Sequence, residues 1–533
     1  MVHIIQQSVL EKILPNNHSF KEPFNNASAL IGEEFAYQIV LYNDDQKTER
    51  FTIKQCHGLP CHLYLVRQVP VTWPHHLAKS SGRYLLDQAG VLPDCLIPID
   101  EDEEIMVGPI PTVVLVCVES IVAGTFRCEF EFISQTETLS SHFQLEIINR
   151  EMAKPAFRYY EQIYAKAIAE DYHCPLFSEL FWIALEKYFD LAAVHGVTDV
   201  FVPLFPSPSE GEALQLMRIE KDRSDYKFNF DLFDSWVCLA RQKGIKHFWL
   251  PPLFPNIGKR SIIPFKYTAG DFTHPLFGDE ITADDSDYLF FLDRLLRASY
   301  KHLNELDLTR CVSFQLTDWI DPKHYILYEE HKKWFLKILR NVRLIDSLGD
   351  VSLYNEIDFG APCVPMHLIQ DFIKNFAVQG MVSFDPSCYT PTSDLLIASR
   401  AADLRVLGVI SYRYRIGGLM NRGFNFNSSV SGESGFPVNL NLDAGNSFPS
   451  GALSLVYSGP DGPLPSMRLK LLQYAMQDIR AIEALEAYVP YEKICSLINK
   501  KYPLPLERSK STAEKILALR EELNQLIKEH CQK

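Results

Sequence analysis

The stretch Arg310–Tyr325 reads RCVSFQLTDWIDPKHY. Val312-Ser313-Phe314-Gln315-Leu316-Thr317 alternates apolar and polar side chains, the period of a strand. The pattern breaks at Asp318-Trp319 and turns helical from about Pro322. A strand that hands a carboxylate to a strand-to-helix loop is the unit from which parallel βα barrels are built, and such barrels carry reacting groups where strands end. Asp318 is the first candidate site residue on this ground, and the competing reading makes it a cap for the helix near Pro322.

The same grammar runs through the chain from about residue 152. Strands are expected at 156–163, 199–205, 247–254, 312–318, 351–359 (VSLYNEIDF), 361–367, 381–387 and 418–424, most of them followed by an amphipathic helix such as HYILYEEHKKWFLKILRNV. Eight such repeats predict an α/β fold, a (β/α)8 TIM-type barrel over 151–490. Residues 30 to about 147 are different: six strand-like runs, separated by Gly, Pro, Asn and Asp with no convincing helix between them, predict an antiparallel β-sandwich for a domain of residues 1–150. The remaining segment, 491–533, contains STAEKILALREELNQLIKEH. Ser511 and Glu514 have capping-box spacing, and Ile516, Leu519, Leu523, Leu526 and Ile527 form one stripe, so a terminal helix packed on the barrel is expected.

The chain of 533 residues has 67 acidic and 52 Lys or Arg residues, a net charge of −15. That balance argues against nucleic acid or an anionic membrane as partner and favours a neutral ligand. No apolar run is long enough to span a membrane, and the start, MVHIIQQSVLEKILPNN, lacks the parts of a signal peptide, so a cytoplasmic soluble protein is expected. Twelve cysteines scattered through so long a chain read as reduced thiols, and CHGLPC (Cys56–Cys61), without a second pair, reads as a hairpin loop rather than a metal site. No phosphate-binding or dinucleotide fingerprint is present, and neither metal nor cofactor is expected. Nothing in the sequence sets an oligomeric state.

The C-terminal stretch Phe448–Glu486, with Pro449-Ser450-Gly451, Val456-Tyr457-Ser458-Gly459, Ser466-Met467-Arg468 and Gln477-Asp478, resembles glycoside hydrolase family 123, the β-N-acetylgalactosaminidases and their relatives. The likeness extends through GEEFAYQIVL (Gly32–Leu41), HGVTDVFVPLFPSP (His195–Pro208) and LFGDEITA (Leu276–Ala283). The resemblance implies a sandwich followed by a barrel, a carbohydrate ligand, and an Asp-Glu pair at a strand end. In that pair the Asp polarises the substrate's 2-acetamido group and the Glu protonates the leaving oxygen, a substrate-assisted variant of the two-carboxylate scheme.

Asp318 matches the Asp. The Glu position holds Trp319, whose indole donates a hydrogen bond but is no proton-transfer acid. In GLMNRGF (Gly418–Phe424) the family's His and Trp positions hold Asn421 and Arg422, and in HFWLPPLFPNIG (His247–Gly258) a frequent Glu is Trp249. Asp321 and Glu356 are the carboxylates that could replace the acid, each with a structural reading beside the catalytic one. Trp319, Trp249 and Tyr354 are candidate stacking surfaces, set against burial, and Asn421 and Arg422 are candidate polar contacts. Arg422 could pair with Asp318 or bind an anionic group. Two functions follow: a divergent hydrolase of N-acetylhexosamine-containing or modified sugars with a relocated acid, or a pseudoenzyme that binds carbohydrate or serves as a scaffold.

Overall fold

The structure, a computed structural model, describes all residues except 17–18, 46, 80–81, 208–213, 223–224, 256, 258–261, 270–271, 279, 356–362, 376–379, 385–389, 391–392, 427–428, 432–436, 441, 502–511 and 532–533. They divide into two compact units. One comprises Met1–Phe157, Pro386–Arg415 and Asn427–Lys533, and the other Arg158–Asp385 and Ile416–Phe426. The terminal helices, expected as a separate segment, fall in the first unit.

In the first unit two five-stranded sheets share one core. Tyr37, Ile39 and Leu41 alternate inward from Glu34–Asn43 in one sheet, and Phe130, Phe132, Phe143 and Leu145 do so from Gly124–Ile133 and Thr138–Glu151 in the other. The rings of Tyr37 and Phe143 stack at 4.3 Å across it. Period-two patterning builds this sandwich largely as read, with differences: Gly90–Ile99 is a further strand, and the run over 105–119 is two, Glu104–Val107 and Thr112–Glu119, in different sheets. Val2–Ser8 and Asn26–Ile31 add strands ahead of residue 30, the second of them parallel to Thr138–Glu151. Cys56–Cys61 is no hairpin: the strands it joins, Glu49–His57 and Cys61–Val71, lie in different sheets. Every described cysteine is free.

The helix Ala513–Cys531 packs on the sandwich strands Asn26–Ile31 and Thr138–Glu151 and on the helices Met467–Glu486 and Ala401–Arg413 of the same unit. Buried charge sets this docking. Arg520 donates to Glu33 at 2.6 Å and to Asp478, Arg405 grips Asp478 at 2.7 and 2.8 Å, and the Asn524 amide donates to Ser28. Apolar periodicity tells that a helix has a buried face, but the partner of that face is chosen here by polar residues inside the stripe. Its cap is Thr512, whose hydroxyl accepts from the Lys515 N–H, while Ser511 lies outside the described residues. The C-terminal signature residues are structural too: Ser466 caps Met467–Glu486, and Arg468, fully buried, is held by Asp94 and by the carbonyls of Leu395 and Gly451.

The second unit contains eight strands, each parallel to its neighbours: Arg158–Glu161, Asp199–Phe201, His247–Pro252, Val312–Gln315, Arg343–Leu344, Cys363–Pro365, Met381–Ser383 and Gly418–Asn421. Counted along the chain, their order in the sheet is 5-4-3-2-1-8-7-6, and a parallel bridge from Ser347 to Cys363 joins strands 5 and 6. The sheet thus curls upon itself as a TIM-like barrel. Tyr160, Phe201, Trp249, Ile345, Cys363, Met381 and Met420 fill its interior, one from each of seven strands or strand ends. Loops after strands 2 and 3 pair into a separate four-stranded sheet, Arg218–Asp222, Asp225–Asn229, Lys266–Ala269 and Phe272–Pro275.

One expected strand is replaced. Helix Tyr325–Ile338 stops four residues before the sequence pattern suggested, and the fifth strand is Arg343–Leu344, paired with Ser313 and Phe314. The stretch expected as strand, residues 351–359, begins instead as a 3-10 turn, Val351–Asn355. Asp350 starts that turn: one of its oxygens accepts both the N–H and the hydroxyl of Ser352, at 2.8 and 2.6 Å. Such an Asp-x-Ser cap offers the backbone local hydrogen bonds that compete with a ladder.

Candidate functional site

The barrel interior is built in tiers. At the bottom Asp199, fully buried, accepts from the Arg158 guanidinium, from the Thr198 hydroxyl at 2.6 Å and from the Trp249 indole N–H at 3.0 Å. Above it the rings of Trp249 and Tyr160 meet at 4.6 Å with a 50° tilt. Trp249 has no exposed surface, so it is a core side chain and presents no face to a ligand. The bulk that alternation turns inward on strand 3 is used to fill the barrel.

Asn421 does not face that interior. It pairs beside Glu161 on the neighbouring strand, and both flank the inward Tyr160 and Met420. Its amide donates to both Glu161 oxygens at 3.0 and 2.9 Å, and the Tyr159 hydroxyl donates to the same carboxyl group. Burial pushes Glu161 up to about 8, against the pull of those two partners. This acid was not singled out from the sequence, although Tyr-Tyr-Glu at a strand end is the kind of signal that could have found it. With no exposed surface, Glu161 has no path to a ligand.

The mouth of the barrel collects residues from the ends of strands 4, 6 and 8. Asp318, three residues beyond strand 4, and Arg422, one beyond strand 8, are joined by an Nη1–H···Oδ1 hydrogen bond of 2.8 Å, and each side chain keeps about a third of its surface exposed, 34% and 30%. Enclosure works against the Arg422 charge, but Asp318 beside it outweighs that and keeps the guanidinium firmly protonated. Trp319 is 38% exposed and stacks on His367, which follows strand 6, with centroids 6.1 Å apart and planes 12° apart. Gly349 makes that seat possible, since a Cβ there would strike the Trp319 indole and the Ile320 carbonyl.

Asp321 is a cap. Its Oδ1 accepts from the Lys323 N–H at 2.9 Å, and its other oxygen lies 3.8 Å from His324. Glu356 lies outside the described residues, as does the side chain of Tyr354, whose backbone is in the turn Val351–Asn355.

Asp346, hidden from sequence reasoning because its strand was misplaced, anchors the loop that carries Asp318. Its Oδ1 accepts from the N–H groups of Leu316 (2.9 Å) and Thr317 (3.1 Å), and its Oδ2 accepts from the Tyr328 hydroxyl (2.9 Å). Burial lifts Asp346 to about 7; the hydrogen bonds oppose this, and the nearby Asp318 charge adds to it. Like Glu161 it has no exposed surface, and it acts on the site only through the backbone it holds.

Among the described residues no group of three or more His, Cys, Asp or Glu side chains is placed to hold a metal ion, and no helix is long and apolar enough to cross a membrane.

This architecture has a solved counterpart. Over its full length the chain superposes, at a TM-score of 0.77 and 13% identity, on the whole of a family 123 glycoside hydrolase from Clostridium perfringens, a protein studied for glycolipid glycan hydrolysis. A β-glucuronidase from Parabacteroides merdae matches far more loosely, at a TM-score of 0.30 and 10% identity over 83% of this chain and 50% of that one. No curated protein matches the sequence. The family model for the glycoside hydrolase 123 catalytic domain matches residues 163–485, more than half of the chain, and the chain therefore belongs to glycoside hydrolase family 123.

Proposed function

We propose that the barrel mouth binds a glycan and that this member of a hydrolase family does not cleave unactivated glycosides at a useful rate. The observation that carries the reading is the state of Asp318. It stands where a strand end presents it, yet one oxygen is committed to Arg422 at 2.8 Å and its neighbour in sequence is Trp319. Leaving-group departure from an ordinary glycoside needs a proton donor with a pKa near the working pH, within hydrogen-bond reach of the glycosidic oxygen. The two carboxyl groups tuned into that range, Glu161 and Asp346, are sealed behind the barrel wall, and Asp321 is a helix cap. The half-exposed Trp319 ring and the polar Asp318–Arg422 pair suit sugar binding, where an aromatic face covers C–H groups and a few polar groups fix orientation.

One observation favours hydrolysis instead. The Oδ2 atom of Asp318 accepts from no described residue and is free to polarise a 2-acetamido group, and Glu356 remains as a relocated acid. Aryl glycosides separate the readings, because nitrophenol leaves without protonation. Nitrophenyl β-N-acetylgalactosaminide and β-N-acetylglucosaminide should show no release above background across pH, in folded protein that binds glycans on an array. Release that vanishes in Asp318→Asn would establish acetamide-assisted chemistry at the mouth, turnover of an unactivated β-N-acetylhexosaminide would overturn the proposal, and its loss in Glu356→Gln would identify the acid.

A further inference from the structure

We infer that the sugar taken at this mouth carries an oxyanion, a carboxylate or a sulfate, which docks on the unused edge of Arg422; the inference rests on the reading that the mouth binds a glycan. Arg422 has five N–H donors in a planar fork, of which only the Nη1 side is engaged, by Asp318. The Nε and Nη2 groups donate to no described residue, and neither is sealed from solvent. That free edge has the spacing of a bidentate carboxylate or sulfate contact, and Asp318 holds the guanidinium plane in a fixed orientation, so little side-chain freedom is left to lose on binding.

A second donor lacks its acceptor. Phe314 packs outward on Phe335, and Ser313 pairs beside the inward Trp249, so alternation turns Gln315 toward the barrel interior, three residues before Asp318. Gln315 is 3% exposed, and its Nε2 has no hydrogen-bond partner among the described residues. A buried amide N–H without an acceptor is costly, and a ligand that brings acceptors removes the cost. A sugar hydroxyl could accept from Gln315, but an oxyanion is the group that meets both N–H groups of the free Arg422 edge with a charge-assisted, two-pronged contact. The opposing charges are Asp318, which shares the guanidinium with the incoming oxyanion, and Asp321, turned to its own helix.

The test titrates the full chain with four probes: methyl glucuronide, methyl glucoside, N-acetylgalactosamine 6-sulfate and N-acetylgalactosamine. Saturation-transfer NMR and calorimetry provide the readout. One anionic sugar should bind about tenfold or more tighter than its neutral match, the effect of one charge-assisted contact. The preference should fall with added salt and shrink to about twofold in Arg422→Gln, with Arg422→Lys intermediate because a point charge lacks the fork. The pair that shows the preference tells carboxylate from sulfate. Equal or tighter binding of the neutral sugars overturns the inference and leaves the glycan-binding proposal standing, whereas binding of none of the four sinks both. A preference that survives in Arg422→Gln, shown folded by an unchanged melting temperature, also overturns it.

Discussion

Replacing Asp346 tests whether a buried acid on the outer side of the barrel wall holds the loop that presents Asp318. In Asp346→Ala the N–H groups of Leu316 and Thr317 and the hydroxyl of Tyr328 lose their acceptor in one step, and all three residues are at most 1% exposed. At about 1–1.5 kcal/mol for each of the two buried N–H groups, with the lost Tyr328 bond adding to it, the cost is at least about 2–3 kcal/mol. Asp346→Asn keeps an acceptor for both N–H groups and leaves Tyr328 able to rotate, so at neutral pH it should cost about 1 kcal/mol or less. The two variants diverge further with pH. The folded-state pKa of Asp346, about 7, lies above the ordinary 3.8. Its contribution to stability is therefore fully present below about pH 4 and is lost as pH rises through 7, by up to about 4 kcal/mol, because the native state binds the proton more tightly than the unfolded chain. Asn cannot titrate, so Asp346→Asn should gain on the wild type as pH rises from about 4 to 7. Calorimetric melting across that range measures the gain, and hydrogen exchange in a peptide spanning residues 310–325 reports the two amides directly. Parallel melting profiles for wild type and Asp346→Asn, or unchanged exchange in Asp346→Ala, would refute the reasoning.

Asp318→Asn should shift the melting temperature little, since a pair this exposed contributes about 1 kcal/mol or less, which makes it a clean variant for binding and turnover assays; a large loss of stability would mean that Asp318 is structural. Gly349→Ala should unseat Trp319 from His367, seen as a shift in tryptophan emission and weaker sugar binding, and unchanged emission would show that the loop yields without moving the ring. Glu161→Gln should remove a second, similar pH slope between about pH 4.5 and 8, because Glu161 is also raised by burial, and stability that still falls with the wild-type slope would assign the slope to another group. Arg520→Ala leaves the buried Glu33 without its cation and Asp478 with only Arg405, and should cost about 3–5 kcal/mol, read as early exchange or proteolysis of the helix Ala513–Cys531; a cost below about 1 kcal/mol would mean that the apolar stripe alone docks it.

What the sequence disclosed follows from how each feature is encoded. Seven of the eight barrel strands were legible because each is a short apolar run bounded by turn residues and most are followed by an amphipathic helix, and most of the sandwich was legible because one face of each sheet is buried. Arg343–Leu344 was not, because a strand of two residues has no period to read, and the apolar alternation of Val351 and Leu353 next door imitates one. The error propagated: with strand 5 misplaced, Glu356 stood at a strand end and Asp346 fell in the link between the expected helix and the expected strand, so the buried acid that holds Leu316 and Thr317 went unseen. Side-chain direction was the other loss. Trp249 lies within its strand and Asn421 ends its own; one points into the packed interior and the other pairs with Glu161 beside the wall, a choice fixed by register with the neighbouring strand, which one sequence does not display. Asp318 and Arg422, read as parts of the strands 312–318 and 418–424, lie just past the observed strand ends, where the chain has already reached the mouth. Their meeting at 2.8 Å is a consequence of barrel closure, which brings the ends of strands 4 and 8 to opposite sides of one opening. The pair is held by one charge-assisted hydrogen bond between side chains that each keep about a third of their surface exposed, so parting it costs little more than that bond.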